Sequence, residues 1–235
     1  MAEFLLVHGS NHGAWCWRDI LPRLQAAGHG ARALDLPSAG ADPTPPEAVT
    51  LAACRDAVLA TIDGPTILVG HSLGGITITA AAAAAPERIA ALVYLAAWAP
   101  REGESARDLR ARHGCANLMA AMRLSPDRKT STFRDETLDA YFYHDCPPGT
   151  ADYARARLTP QPTAPGTEPA AALPPGLARH YIRCTADRII PPEAQRDMTR
   201  DWPIAHLHDM ECGHSPFFAQ PDRLADILNR IAETT

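Results

Sequence analysis

The sequence lacks a long apolar stretch, a run of basic residues and any closely spaced pair of cysteines. A membrane-spanning helix needs about 18–20 consecutive apolar residues, and no stretch approaches that length, so we expect no membrane span. The formal net charge is -5 and the arginines are scattered among acids, which argues against nucleic acid as a partner. The first residues place an acid ahead of a short apolar run, unlike a secretory signal. We therefore expect a cytoplasmic protein.

The cysteines are far apart along the chain and include no C-x-x-C pair. Zinc sites usually contain closely spaced ligand pairs, and disulfide frameworks are typical of smaller secreted chains. We therefore expect free thiols, although the sequence leaves pairing open. The cysteines are Cys16, Cys54, Cys115, Cys146, Cys184 and Cys212.

Strand and helix signals alternate along most of the chain, which is typical of a mostly parallel sheet flanked by helices. At 235 residues the chain is long enough for one such α/β domain with an inserted lobe. The strand signals, about six, lie at 4–8, 31–36, 65–70, 89–97, 178–185 and 205–210. The helix signals lie at 14–27, 51–62, 73–85, 192–201 and from Pro221 onward.

The alternation breaks down over 100–175. We interpret this stretch as a helical cap inserted into an α/β core formed by 1–99 and 176–235. Helix-like pieces of the cap are followed by a proline-rich return to the core. These pieces lie at 105–123, 134–143 and 149–158.

The strongest chemical signal is Gly70-His71-Ser72-Leu73-Gly74, a G-x-S-x-G motif. It directly follows a predicted buried strand and directly precedes a predicted helix, the context in which this motif exposes a nucleophilic serine. The flanking glycines let strand and helix approach closely, and the helix N-terminus points amide dipoles at the serine. We therefore predict that Ser72 is a catalytic nucleophile.

A serine nucleophile needs a base within hydrogen-bond reach and an acid that orients the base. In chains with this motif the order is serine, acid, histidine. His214 follows the last predicted strand and Asp187 follows the strand before it, so both should reach the sheet edge that carries Ser72. We predict His214 as the base and Asp187 as the acid, with Asp209 as the runner-up acid.

Other histidines fit the role of base less well. His8 and His71 lie in the turns after two predicted strands, and we expect them to shape those turns. His206 and His208 share one face of a strand, but no third ligand is evident in the sequence. We therefore predict no metal site.

Acyl transfer also needs hydrogen-bond donors aimed at the developing oxyanion. We predict two backbone donors, the N–H of Leu73 in the motif and the N–H of Ser10 in the loop after the first strand. Apolar cap residues are predicted to line a substrate pocket, with plain cap-to-core packing as the alternative. These residues are Leu118, Met119, Met122, Tyr141 and Phe142.

With these residues assembled, the chain resembles the α/β-hydrolase superfamily. Within it, the chain resembles the plant methylesterase and hydroxynitrile lyase group and its bacterial esterase relatives. Segment 6–18, LVHGSNHGAWCWR, is similar to the V-H-G-x-x-H-G-A-W-x-W opening of that group. Further matching points are Gly70–Gly75, Tyr94–Trp98, the Thr-x-Asp-x-x-x-Pro form at 185–191, and Gly213-His214. The resemblance covers both halves of the core, whereas the cap is less diagnostic.

Two positions favour the esterase branch of this group. Lyases that resemble this chain carry Thr or Asn directly after the opening histidine, and many carry Lys directly after the catalytic histidine. Those positions hold Gly9 and Ser215 here. The resemblance therefore implies a serine carboxylesterase for small, aromatic or methyl, esters, working without metal or cofactor.

Four alternatives stay open at this point. Three are enzymes of related scaffold: a hydroxynitrile lyase, another enzyme that cleaves carbon–carbon bonds, and a cofactor-free haloperoxidase. The fourth is a receptor-like binding protein with a slow triad, since function lives in sites rather than in folds. The expected partner is a small-molecule ester, and the sequence leaves open whether the chain forms a homodimer.

Overall fold

The computed structural model describes residues 1–235 and contains a large parallel sheet and a small antiparallel one. The larger sheet has six strands in the order β2-β1-β3-β4-β8-β9, every neighbouring pair parallel, so the predicted α/β class with about six strands is confirmed. The strands are β1 (Glu3–Val7), β2 (Gly30–Leu34), β3 (Thr66–His71), β4 (Ile89–Leu95), β5 (Met122–Leu124), β6 (Thr130–Phe133), β7 (Gln161–Pro162), β8 (Arg179–Cys184) and β9 (Leu207–Met210).

Helices cover both faces of the parallel sheet. α3 consists mostly of small side chains and is almost wholly buried against β3 and β4, which lets it lie close to the sheet. α10 is amphipathic, and its apolar residues Leu224, Ile227, Leu228 and Ile231, spaced i, i+3, i+4 and i+7, are buried. The helices are α1 (Leu21–Ala26), α2 (Leu51–Thr61), α3 (Gly74–Ala84), α4 (Ala106–His113), α5 (Ala116–Ala121), α6 (Asp135–Thr137), α7 (Thr150–Arg155), α8 (Pro192–Met198), α9 (Pro216–Ala219) and α10 (Pro221–Thr234).

The first helical segment differs from its prediction. One helix over 14–27 was expected, but the structure has a 3₁₀ turn over Ala14–Trp17 and then α1, which begins at Leu21. Pro22 explains the boundary, because proline lacks an N–H and is tolerated only in the first turn of a helix. The prediction of one continuous helix is therefore wrong.

Segment 100–175 runs between β4 and β8 and contains α4 to α7, as its helical signals indicated. It also contains the antiparallel sheet β5-β6-β7, which the sequence analysis did not predict. β6 shows the reason. Only two of its residues, Ser131 and Phe133, are buried in alternation, and so short an alternating pattern does not distinguish a strand from other structure. The predicted helix over 105–123 is divided where α4 ends at Gly114, a frequent helix-ending residue. That 100–175 acts as a separate cap domain stays a proposal.

The buried core is continuous and includes the largest aromatic side chains of the sheet and its loops, Trp17, Tyr94, Trp98 and Tyr181. All six cysteines are free thiols, and the sulfur atoms of Cys184 and Cys212 lie 3.6 Å apart. None of the helices has both the length and the apolar composition that crossing a bilayer requires. The carboxyl ends of β1, β3, β8 and β9 point to one edge of the sheet, and this carboxyl edge carries the residues predicted to be catalytic.

Candidate active site

Ser72 lies in the tight turn between β3 and α3 with φ +52°. This left-handed conformation is uncommon for a residue with a side chain and strains the backbone. The turn is tight because strand and helix meet closely: a Cβ on Gly70 would stand 2.7 Å from the carbonyl oxygen of Gly74. The structure therefore presents Ser72 on the kind of elbow that the motif predicted.

The residues predicted as base and acid are in direct contact. His214 Nδ1 lies 2.9 Å from Asp187 Oδ2, and both side chains are buried. They follow β9 and β8, which are adjacent in the sheet. With Nδ1–H donated to the carboxylate, Nε2 of His214 is the free basic nitrogen.

His214 and Ser72 line the same cavity. No hydrogen bond joins the Ser72 hydroxyl to the imidazole of His214 in this structure. Such catalytic bonds commonly tighten only in the substrate complex.

Both carboxylate oxygens of Asp187 accept hydrogen bonds. Oδ1 accepts from the backbone N–H groups of Ile189 at 2.7 Å and Ile190 at 3.1 Å. Oδ2 accepts from His214 and from Gln195 Nε2, the latter at 3.1 Å. A buried charge is costly unless donors satisfy it, and here four donors do so.

Gln195, on α8, is a contact of the acid that the sequence analysis missed. It is fully buried, accepts from the N–H of Cys184 at 2.9 Å, and donates to the carbonyl of Ile190 at 2.8 Å as well as to Asp187. Gln195 thereby ties the end of β8 to the loop that carries Asp187. No local sequence pattern marks it, because its partners meet it only through the packing of α8 on β8.

The runner-up acid and the two histidines near the C-terminal strand have partners of their own. Asp209, the runner-up acid, forms a two-point ion pair with Arg183 across β8 and β9, with N–O distances of 2.6 and 3.1 Å. His206 and His208 do not share a strand as expected, because His206 lies in a 3₁₀ turn before β9; the rings of both pack on His180 of β8. No group of three or more His, Cys, Asp or Glu side chains is arranged to hold a metal ion.

The loop that carries His214 is held from two sides. His71 Nε2 donates to the carbonyl of His214 at 2.8 Å, and Asp145 Oδ2 accepts from the N–H of Gly213 at 2.6 Å. Burial, with the neighbouring His214 and His12, keeps the pKa of His71 well below its usual 6.5. His71 is therefore a neutral structural donor, as expected for a histidine that shapes its turn.

The two predicted oxyanion donors are unpartnered in the protein. Neither the N–H of Ser10 nor that of Leu73 donates to a protein acceptor. The carbonyl of Ser10 accepts from His12 Nδ1 at 2.8 Å, and the hydroxyl of Tyr143 contacts His12 Nε2 at 2.8 Å. Burial lowers the pKa of His12 to about 3, so its neutral imidazole can make both contacts and fix the Ser10 peptide.

The loop after β1 is held by Ser72 on one side and by segment 100–175 on the other. A Cβ on Gly9 would stand 2.7 Å from Cβ of Ser72, so a side chain at this position would displace the serine or the loop. On the other side, Asn11 Nδ2 donates to the carbonyls of Ser131 and Thr159, each at 2.8 Å. These two bonds join the loop to segment 100–175, and the sequence analysis did not foresee them.

Two adjoining cavities lie between the carboxyl edge and segment 100–175. The inner cavity contains Ser72 and His214, and the outer cavity has a volume of about 880 Å³. Ser10 lines both cavities. Of the residues predicted to line the pocket, Leu118, Met122 and Phe142 line the inner cavity, Met119 and Met122 line the outer one, and Tyr141 lies outside both.

Comparison with known proteins agrees with this architecture. The model of the alpha/beta hydrolase family matches residues 4–227. Methylesterase 7 of Arabidopsis thaliana is 30% identical over 98% of this chain and 96% of its own length. A solved methylesterase structure from Arabidopsis superposes with a TM-score of 0.86 at 25% identity, covering 100% of both chains. A pyrethroid hydrolase from Sphingobium faniae JZ-2 superposes with a TM-score of 0.90 at 24% identity, over 99% of this chain and 97% of its own.

The family match spans nearly the whole chain, and the methylesterase relatives share both its length and its fold. The pyrethroid hydrolase supports the fold alone, because its identity is low. The resemblance inferred from the opening segment and the serine motif is thereby confirmed. The chain belongs to the alpha/beta hydrolase family and is a hydrolase of carboxylic esters.

Proposed function

We propose that this carboxylesterase works through an acyl-enzyme formed on Ser72, with His214 as general base and Asp187 as the acid that orients it. One observation carries the proposal: the buried 2.9 Å contact between His214 and Asp187 adjoins the cavity that His214 shares with the strained serine. Asp187 fixes the tautomer of His214 and stabilises the imidazolium that forms during the reaction.

In the first half-reaction, Ser72 Oγ attacks the ester carbonyl carbon while His214 Nε2 takes the hydroxyl proton. The carbonyl oxygen becomes an oxyanion, which accepts hydrogen bonds from the N–H groups of Ser10 and Leu73. The carbon–oxygen bond to the alcohol then breaks, and His214 returns the proton to the leaving alcohol. In the second half-reaction His214 deprotonates a water molecule, whose oxygen attacks the acyl carbon. The bond from that carbon to Ser72 Oγ then breaks, His214 returns the proton to Oγ, and the carboxylic acid is released.

The proposed substrates are small carboxylic esters, namely methyl esters or esters of aromatic acids. The inner cavity is narrow, and six of its 13 lining residues are hydrophobic, including Trp98, Leu118 and Phe142, which favours a compact acyl group. Relatives named methylesterases support a small alcohol. Steady-state kinetics on methyl benzoate and on long-chain fatty acid methyl esters test this choice, and a strong long-chain preference would contradict it.

The central test uses p-nitrophenyl acetate and butyrate, with a fluorophosphonate label located by mass spectrometry. Wild type should turn over both esters and carry the label on Ser72, whereas Ser72→Ala should lose both properties. Ser38→Ala is the matched control, because Ser38 also has a positive φ, +67°, and its hydroxyl makes no hydrogen bond. The control should retain turnover and labelling.

Other outcomes point to the alternatives. Cyanide release from mandelonitrile above the uncatalysed rate, without ester turnover, would favour a hydroxynitrile lyase. It would do so although Gly9 stands where such lyases carry Thr or Asn, at a position with no room for a side chain. Tight retention of small esters by a folded protein without turnover or labelling would favour a binding role. Either result would sink the acyl-enzyme proposal.

A further inference from the structure

The outer cavity is lined by arginines and by no acidic residue. It reaches the proposed oxyanion donors, since Ser10 and Leu73 belong to its wall. The chain as a whole carries a net charge of -5, so this local excess of positive charge does not follow from the composition. The five arginines are Arg107, Arg110, Arg123, Arg128 and Arg134.

None of these five arginines forms an ion pair with a carboxylate. Many arginines elsewhere in the chain do, as Arg200 does with Asp197, although some, such as Arg88, bind backbone carbonyls instead. α4 shows the contrast within one helix: Arg112 pairs with Glu104, whereas Arg110, on the cavity side, forms no ion pair. Local surface pairing therefore does not account for the arginines of the cavity.

Arg110 is the most enclosed of the five. It is half-buried, and it alone among them lines both the outer cavity and the inner cavity that contains Ser72. A Cβ on Gly166 would stand 3.5 Å from Leu73 Cδ1 and 3.6 Å from Arg110 Nη2, so the side chains of Arg110 and Leu73 both approach Gly166.

The surroundings of Arg110 do not neutralise its charge. Burial, followed by repulsion from Arg107, lowers the pKa of its guanidinium; the Cys115 thiol opposes this shift, and no carboxylate contributes. A partly desolvated, unpaired cation is unfavourable unless an anion joins it. A guanidinium presents a planar fork that matches a carboxylate with two parallel hydrogen bonds.

We propose that Arg110 binds a carboxylate on the acid half of the substrate, so that the preferred substrates are monoesters of dicarboxylic acids. This inference rests on the proposed function, since it takes the ester carbonyl to lie at Ser72. The carboxylate belongs to the acid half because a methyl alcohol is too small to carry a charge. The other four arginines, all exposed, form the rim of the outer cavity and attract the anion from solution.

The test compares monomethyl adipate with dimethyl adipate, which has the same skeleton but no free charge. Wild type should show a kcat/KM at least tenfold higher for the monoester. Arg110→Gln should lower this ratio at least tenfold, mainly through KM, and Arg110→Lys should restore part of it. Arg112→Gln is the matched control, since Arg112 lies on the same helix and pairs with Glu104, and it should leave the ratio unchanged.

Equal or better hydrolysis of the dimethyl ester by wild type would overturn the proposal while leaving the esterase intact. An unchanged ratio in Arg110→Gln, or an equal loss on both esters, would show that Arg110 is structural. If wild type hydrolyses neither adipate ester, turnover of p-nitrophenyl butyrate decides the proposed function, and calorimetric binding to Ser72→Ala decides the anion site separately. Binding of the monoester at least tenfold tighter than the diester would support it, and equal binding would overturn it.

Discussion

The buried charge at the carboxyl edge of the parallel sheet is paired within the protein, whereas the charges in the wall of the outer cavity are unpaired. At the sheet edge, the one buried carboxylate, Asp187, accepts from four donors, and the buried His71 and His12 are neutral with their contacts made to carbonyls and a hydroxyl. In the cavity wall, five arginines stand without a single acid.

The difference concerns what each region must do. Catalysis of this kind works best when the acid and base are positioned before substrate arrives, so the carboxylate of Asp187 is satisfied by the protein itself. A surface that selects an anionic substrate needs charges that are still unpaired, because a resident acid would compete with the substrate. The paired carboxylate at the sheet edge and the unpaired arginines of the cavity wall are thus consistent with catalysis and recognition in separate parts of the chain.

The largest effect is expected when the buried carboxylate at the carboxyl edge of the sheet is removed. Asp187→Asn should lower kcat by about 10³–10⁴-fold, because the amide no longer fixes the tautomer of His214 or stabilises its imidazolium. Asp209→Asn is the matched control and should retain most activity, because Asp209 pairs with Arg183 at the sheet surface. Steady-state kinetics on p-nitrophenyl butyrate measure both variants. A large loss in Asp209→Asn with activity kept in Asp187→Asn would reverse the assignment of the acid.

A smaller loss should follow when one donor to that charge is removed. Gln195→Met keeps the volume but removes a hydrogen bond to Asp187 and leaves the Cys184 amide without its acceptor. We expect kcat to fall by about 10–100-fold with little change in KM, and unfolding free energy to fall by about 1–3 kcal/mol. Kinetics and urea denaturation measure the two effects. A drop in stability with kcat intact would reduce Gln195 to a packing role.

Much of the sheet edge could be predicted because its signals are local. The serine motif predicts a strand, a turn and a helix within a few residues, and the order of serine, acid and histidine along the chain is the one that accompanies this motif. Ser72, Asp187 and His214 accordingly lie at the ends of β3, β8 and β9.

The supporting contacts could not be predicted in this way. Gln195 meets Asp187 through the docking of α8, and Asn11 meets Thr159 across 148 residues of chain. Neither residue lies in a pattern whose period or spacing marks its partner. Such contacts are products of tertiary packing, and only the folded chain shows them.

Segment 100–175 was predicted less well for a related reason. Its strands are short, and β5 continues directly from α5, so neither a period of two nor a clear helix boundary is established there. The positive cavity wall was missed as well, because its arginines come from α4, β5 and the loops on either side of β6 and cluster only after folding.

The neutral, buried histidines at the carboxyl edge of the sheet predict a pH dependence of stability. The pKa of His12 is lowered to about 3 in the folded protein, against about 6.5 when unfolded. Above about pH 6.5 this histidine is neutral in both the folded and the unfolded state. Below that pH only the unfolded chain takes the proton, so the free energy of unfolding decreases as the pH is lowered. We expect His12 to cost about 1.4 kcal/mol of unfolding free energy between pH 7.5 and 5.5.

Urea denaturation of wild type and His12→Gln at those two pH values measures this dependence. The variant starts less stable, but it should lose less stability on acidification, because glutamine does not titrate. Equal losses in the two proteins would show that His12 does not carry the effect.

The smallest effect is expected at the rim of the cavity wall, where charges are exposed and screened. Arg123→Gln with Arg134→Gln should lower the preference for monomethyl over dimethyl adipate by about 2–5-fold at low salt, and the difference should fade as salt rises. Arg155→Gln is the control, since Arg155 pairs with Asp152 away from the cavity, and its preference should match wild type at every salt concentration.

The salt dependence separates the two roles of arginine in this wall, because Arg110 is half-buried and its contribution should persist at ionic strengths that abolish steering by the rim. A rim effect as large as that of Arg110→Gln and insensitive to salt would instead place the anion at the mouth of the outer cavity.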